Sequence, residues 1–471
     1  MQLAILAVVV CAISAASSEA AHTGGNGWRL LASLAFLSAA PLTALSFPGA
    51  ARRSRLDCKS AADWRRDLTR WQSLVTWVWM GGCLAVLYIA RLPDVVRSAS
   101  FTVAWPLLDD LLILAPLVAS LNLVWFASHR MELALHRRLN PAEPRPEATL
   151  RSYLELRWRH YLGLTLLPAL VFLGLQESAA AMRLTNGAND SRAWWLAVLL
   201  VAGAVLALPR LLRSVWRTQF VMDSPLKRRL LESCRRVGCP VRDIVVWQTG
   251  GMVANAAVAG LIPRSRTIFL SDALIQRLSD DEIDVVVRHE AAHLAQQHLW
   301  QRLALLVLPL VLYAVIATHW PQALGLFQEQ LAALGIAPTM QTSLLLPAAA
   351  LAYALLAVGW LARLHEHDAD LAACCGLSAM ESSTGQPAGQ LAVNASAVEH
   401  LHSALCKLVG DSPEYDRRRW FHPSVVERVD FLRRNCRGPA LAARFRARML
   451  WLIWGLVGIC LMGALAAVWP L

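Results

Sequence analysis

Charge is scarce in this chain. Only 17% of its 471 residues are Asp, Glu, Lys or Arg, while 56% are hydrophobic. Soluble domains carry about 25% charged and 45–50% apolar residues. The excess apolar side chains must therefore face something other than water, and lipid is the obvious candidate. The ten cysteines, at 11, 58, 83, 234, 239, 374, 375, 406, 436 and 460, form no paired Cys-x-x-Cys array, so a zinc-ribbon scaffold is excluded. Most fall in segments assigned below to the cytoplasm and read as reduced thiols packed as small hydrophobes. No basic stripe interleaves with aromatics in the way that binds nucleic acid, although the net charge is +12. Internal repeats are absent. The first apolar run, 3–16, lacks the positive n-region and clean cleavage site of a signal peptide.

What is present is a series of apolar runs long enough to cross a bilayer. They lie at 3–16, 29–47, 71–90, 104–127, 161–176, 194–212, 301–319, 344–362 and 449–470. The intervals 48–70, 128–160, 210–302 and 363–448 hold 40 of the 45 Lys and Arg. Cytoplasmic loops are enriched in these residues, so all four intervals are assigned to the cytoplasm and the basic balance reads as membrane topology. Trp28, Trp71, Trp105, Trp194, Trp195, Trp300, Trp320 and Trp451 sit near span ends, where aromatic belts form. Asp109 and Asp110 fall inside the run 104–127. Either they act within the membrane, or the span begins a turn later and leaves them at its outer interface.

Two polar segments remain. In the first, Pro225–Cys239 has helical character and Asp243–Trp247 is β-rich; Met252–Leu261 and Thr267–Leu270 then read as a hairpin. A helix follows from Ser271. Ser279 with Glu282 three residues on, ahead of an apolar run, is a capping box, so 280–298 is expected to be a helix with a defined start. The second segment continues out of the run 344–362 and crosses the Gly- and Ser-rich stretch 376–396, either an active-site lid or a tolerated loop.

The capped helix carries His289-Glu290-Ala291-Ala292-His293. Two His at i and i+4 share one helical face, so two imidazoles can reach one tetrahedral ion. Glu290 stands beside them, placed to take a proton from zinc-activated water. A catalytic zinc needs three protein ligands. The favoured third is Glu366, which emerges on the same side after the helical hairpin 301–362. Asp370 shares its face at i+4 and is placed to accept the outer N–H of a ligating His. His365 or His367 on the metal is the rival reading.

At this point the chain resembles the membrane zinc metallopeptidases that include the type I CAAX prenyl endopeptidase and the bacterial heat-shock protease HtpX, gluzincins with HExxH plus a distal Glu. The likeness covers about 225–435. It rests on Asn255-Ala256 before a hairpin, Ser279–Glu282 leading into His289–His293, Glu366 with Asp370, and Phe421-His422-Pro423-Ser424 with Glu427-Arg428. It implies one Zn2+ per chain on His289, His293 and Glu366, with Glu290 as general base and Asp370 orienting a ligand. His422 would stabilise the oxyanion and Arg428 would support the site. Asn255 and Ala256 would lie where an edge strand pairs with substrate. Two departures stand out: Ala291 replaces a larger apolar residue, and Phe421 replaces a small polar one.

The expected fold is mainly α, a polytopic helical membrane protein of about 8–9 spans with a small α+β zincin-like catalytic domain. Its parts are a multi-span region 1–219, a catalytic segment 220–299, a transmembrane hairpin 300–362, a second catalytic segment 363–448 and a C-terminal helix 449–471. The expected function is zinc-dependent endopeptidase action on peptide or membrane-protein substrates, in quality control or processing. The expected setting is a bacterial inner membrane with the site facing the cytoplasm. A proteolytic sensor that cuts a cytoplasmic repressor is the alternative, disfavoured by the short outer loops. A catalytically dead scaffold is disfavoured by the complete motif set.

Overall fold

A computed structural model of the chain describes residues 26–53, 61–98, 108–139, 149–163, 209–221, 224–260, 262–336, 345–375, 393–409, 421–437 and 439–468, with isolated residues within 4–12, 165–174 and 203–207. The chain divides into two compact units, Met1–Trp216 and Arg217–Leu471.

The first unit is helical. Its described helices are α1 (Asn26–Arg53), α2 (Ala61–Tyr88), α3 (Leu92–Arg97), α4 (Leu108–Leu139) and α5 (Leu150–Arg157), the last running on as a π-helical turn to Leu162. Helices α1, α2 and α4 bury Ala40, Ala44, Trp79, Cys83, Leu121 and Trp125. The backbones of α1 and α2 meet so closely that a Cβ on Gly82 would lie 2.6 Å from the Phe36 carbonyl oxygen. Asp109 and Asp110 sit in the first turn of α4, where carboxylates are favoured by the helix dipole, and Asp109 pairs with Arg97 at 3.3 Å.

The second unit holds a four-stranded sheet of order β1-β2-β4-β3, from β1 (Thr218–Phe220), β2 (Asp243–Trp247), β3 (Ala256–Ala259) and β4 (Thr267–Ser271). Strands β3 and β4 form the expected hairpin, with Ala257 opposite Phe269. The sequence did not reveal that β2 runs parallel to β4 or that the three-residue β1 pairs with β2. Helix α6 (Pro225–Arg236) precedes β2, and the short α7 (Asp272–Arg277) is N-capped by the Ser271 hydroxyl.

Helix α8 (Asp280–Ala295) begins at the expected capping box, with the Ser279 and Glu282 side chains each bonded to the other's backbone N–H. It ends three residues earlier than expected, because Gln297 adopts a left-handed conformation (φ 58°) and a new helix, α9 (His298–His319), starts there. Further on lie α10 (Pro321–Ala333), α11 (Leu346–Tyr353), a π-helical turn over 354–358, α12 (Gly359–Cys375), α13 (Ala395–Val409), α14 (Val425–Arg437) and α15 (Pro439–Val468). Val285 of α8 joins Leu371, Ala373 and Cys374 of α12, Leu401 of α13 and Leu432 of α14 in one core. The Arg288 Nη1 donates to the Ala373 carbonyl at 2.6 Å, which ties α8 to α12.

Among the described residues, four helical stretches have the length and hydropathy to cross a membrane: Gly27–Ser46, Leu108–Arg137, His298–His319 and Ala440–Gly463. The last two leave 94% of their apolar windows unburied. So large an apolar surface requires lipid, and Trp28, Trp300 and Trp320 are exposed near the ends of these stretches, whereas Trp451, expected at a span end, is exposed in the middle of the fourth. Run 71–90, as far as Tyr88, and the described part of run 344–362 are helical yet not among the four. Runs 3–16, 161–176 and 194–212, and the stretch 376–396, fall largely outside the described residues.

Candidate metal centre

Helices α8 and α12 lie against each other and bring His289, His293 and Glu366 together. The Nε2 atoms of the two imidazoles are 3.3 Å apart. A Glu366 carboxylate oxygen lies 3.6 Å from His289 Nε2 and the other lies 3.7 Å from His293 Nε2. Two nitrogens bound at 2.0–2.1 Å to one tetrahedral ion stand about 3.3 Å apart. The donor set therefore fits a zinc ion: two imidazole nitrogens converge at that spacing, and a carboxylate closes the triangle. The rival ligands point elsewhere. His365 is fixed by Gln301 Oε1 (2.7 Å) and Arg302 Nε (3.2 Å), and His367 rests on the Phe431 ring, centroids 4.4 Å apart.

The outer nitrogen of His289 faces Asp370, Nδ1 to Oδ1 at 2.9 Å. Arg428 of α14 grips that carboxylate with both arms of its guanidinium, Nε to Oδ2 at 2.8 Å and Nη2 to Oδ1 at 2.6 Å. Its Nη1 lies 3.4 Å from Glu366. Such bidentate forks fix geometry as well as charge. Ser424 sets the start of α14, accepting from the Glu427 N–H at 3.2 Å, which aims Arg428 inward. His422, at the open side, is well exposed and places Nδ1 3.2 Å from Glu366 Oε1.

The electrostatics follow from burial opposed by close charge. Burial works against a charged Glu366, but His422, Arg428 and His289 hold its pKa well below the carboxylate range. Burial likewise disfavours a charged Asp370, and Arg428 with His289 outweighs it, so its pKa is lowered. Burial disfavours a protonated His289, yet Asp370 lifts its pKa above the imidazole norm. His293 has no such direct carboxylate, and burial drives its pKa down. Glu290, half-buried beside the donor triangle, is pushed up to about 7, first by burial and then by Glu366. A carboxyl near 7 exchanges protons readily at neutral pH.

The remaining predicted positions lie on the sheet. Asn255 precedes β3, the edge strand, and is tied to β4 by its N–H to Ser271 Oγ (2.9 Å) and its carbonyl to the Ser271 N–H (3.0 Å). Ala256 packs in the same core as Ala291 of α8. The small Ala291 thus faces the sheet and away from the donor triangle.

Residues 222–435 match the sequence model of peptidase family M48, a span that takes in all of these groups. The chain carries an M48 peptidase domain. Its fold is similar to that of the crystal structure of S. mikatae Ste24p, with a TM-score of 0.50 over 86% of this chain and 99% of that one, at 15% sequence identity. No curated protein matches the chain. M48 peptidases are zinc metalloproteases, and with its apolar spans the protein is an integral-membrane zinc metalloendopeptidase.

Several residues near the M48 centre were not foreseen. His298, Asp368 and Gln301 are buried and form a polar cluster with the half-buried Arg302, and Arg288 braces the helix pair. His298 carried one signal, a third His five residues beyond His293. On an unbroken helix that spacing turns it about 140° from the ligand face, so nothing in the sequence placed it there.

Proposed function

We propose that this M48 domain binds one Zn2+ per chain through His289, His293 and Glu366 and cleaves peptide bonds in membrane-associated or membrane-embedded proteins, at the cytoplasmic face of a bacterial inner membrane. The observation that carries the metal assignment is the donor triangle of 3.3, 3.6 and 3.7 Å with Glu290 beside it. The concentration of Lys and Arg in alternate loops supports the cytoplasmic orientation.

Bound zinc supplies the Lewis acidity that makes water nucleophilic at neutral pH. Glu290 accepts the proton that water releases on attacking the scissile carbonyl carbon. It then delivers that proton to the amide nitrogen as the C–N bond breaks, leaving a carboxylic acid and an amine that settle as carboxylate and ammonium. His422 donates to the carbonyl oxygen as negative charge builds there. Asp370, clamped by Arg428, holds His289 in the tautomer that offers Nε2 inward. The outer edge of β3, the last strand of the described sheet, entered through Asn255 and Ala256, pairs with an extended substrate backbone. The segments 220–299 and 363–448 together make this catalytic body, with the hairpin 300–362 between them and membrane regions 1–219 and 449–471 on either side.

The test is cleavage of an unstructured reporter protein by the detergent-solubilised enzyme with zinc. Wild type is expected to cut, while Glu290→Gln and the chelated wild type are not. A Glu290→Gln enzyme that cuts as fast as wild type would remove the assignment.

A further inference from the structure

The two imidazoles of the donor triangle are supported in different ways, and the weaker-looking support leads to a residue outside the HExxH motif. His289 meets a carboxylate directly. His293 turns its outer nitrogen, Nδ1, toward Nδ1 of His298 at 2.8 Å. The other nitrogen of His298, Nε2, lies 3.2 Å from Asp368 Oδ2. His298 and Asp368 are both nearly inaccessible, at 1% and 4% exposure.

We propose that His298 is a positioning residue for the metal, a neutral link through which Asp368 orients His293; this rests on the ligand assignment above. The tautomers follow from one constraint. With an ion on Nε2 of His293, its proton resides on Nδ1, which donates to Nδ1 of His298. His298 then carries its own proton on Nε2 and donates to Asp368. Each imidazole nitrogen in the row then has one role and one partner, as buried polar groups need.

The surroundings fix the ring of His298 in that pose. His365 stacks flat on it, centroids 4.0 Å apart and planes 4° from parallel. His365 is itself pinned by Gln301 and Arg302. Asp368 is held from the far side by Arg446 of α15, 3.8 Å from Oδ1. The geometry depends on Gln297, whose left-handed backbone breaks the helix and swings His298 back toward His293.

Outer partners of ligating histidines typically set metal affinity by about 10- to 100-fold. The experiment measures zinc affinity of the full-length enzyme in detergent by chelator competition, together with the visible spectrum of the cobalt(II)-loaded form. His298→Phe keeps the ring and its stack on His365 but has no acceptor; it is expected to weaken zinc about 10- to 100-fold and to alter the cobalt bands. His298→Asn retains an acceptor where Nδ1 stood and is expected to recover most of that loss. Equal affinity in wild type and His298→Phe, both binding zinc, would overturn the positioning role and leave the metal assignment standing. Equal losses in the Phe and Asn variants would show that an acceptor at this place does not restore the metal, and would also overturn it. A wild type that binds no zinc would remove both readings.

Discussion

Helices α8 and α9 are separated by two residues and follow opposite rules. In α8, ten of sixteen residues are buried, among them Glu282, Asp284, Arg288 and His289. In α9, Leu303, Leu306, Val307, Leu312, Tyr313 and Ile316 are exposed instead. The first helix hides charge, and each hidden charge has a partner. The second displays hydrocarbon, and its partner is lipid. Amphipathic pattern alone would misread both, because each side-chain position takes its meaning from the medium it faces.

The sharpest break in the comparison is Glu290→Gln, which removes the one side chain on α8 placed for proton transfer. Turnover of a reporter protein should fall about 10²- to 10⁴-fold, with zinc content by mass spectrometry unchanged. Next is Arg428→Met, which strands Asp370 and Glu366 as buried carboxylates. Uncompensated buried charge costs about 3–5 kcal/mol, read as a lower melting temperature of the zinc-free enzyme in detergent. Lysine at 428 should not restore it, since the bidentate fork is lost.

On α9 the sign reverses. Leu306→Arg exposes a charge where a soluble helix would tolerate it within about 0.5 kcal/mol. In a bilayer the same change costs about 2.5–3.5 kcal/mol, visible as reduced membrane insertion. Normal insertion of that variant would show that α9 does not cross the membrane. The smallest effect expected is at Glu282, whose carboxylate accepts from Ser279, Ser403 and Lys407. Burial opposes its charge, but these partners lower its pKa from 4.5 to about 2. Its contribution is complete above about pH 4.5 and is lost as the pH falls toward 2. Glu282→Gln should therefore cost about 1 kcal/mol at pH 7, since Lys407 is half in water, and should flatten the acid side of the stability profile.

What the sequence made legible was whatever is written locally. The capping box at Ser279, the hairpin of β3 and β4, and the i, i+4 spacing of His289 and His293 each need only a few neighbouring residues. Glu366, which the structure brings beside the two histidines, was reached through the return of the chain to one face. Long-range pairings were less visible. The parallel alignment of β2 with β4 depends on strands 24 residues apart, Asp243 with Thr267, and no spacing rule announces it. His298 was hidden by a left-handed Gln297, a conformation that non-glycine residues seldom take. Arg288 reads as a charge on a helix face until α12 is in place to receive it.

The order of the donors along the chain bears on how the enzyme comes into being. His289 and His293 leave the ribosome first, then α9 with its lipid-seeking face, and Glu366 only after the hairpin has turned back. A chain still awaiting insertion has two of the three donors on one side of an unsettled segment. The donor triangle therefore cannot close until the segment that carries α9 and its return has been made.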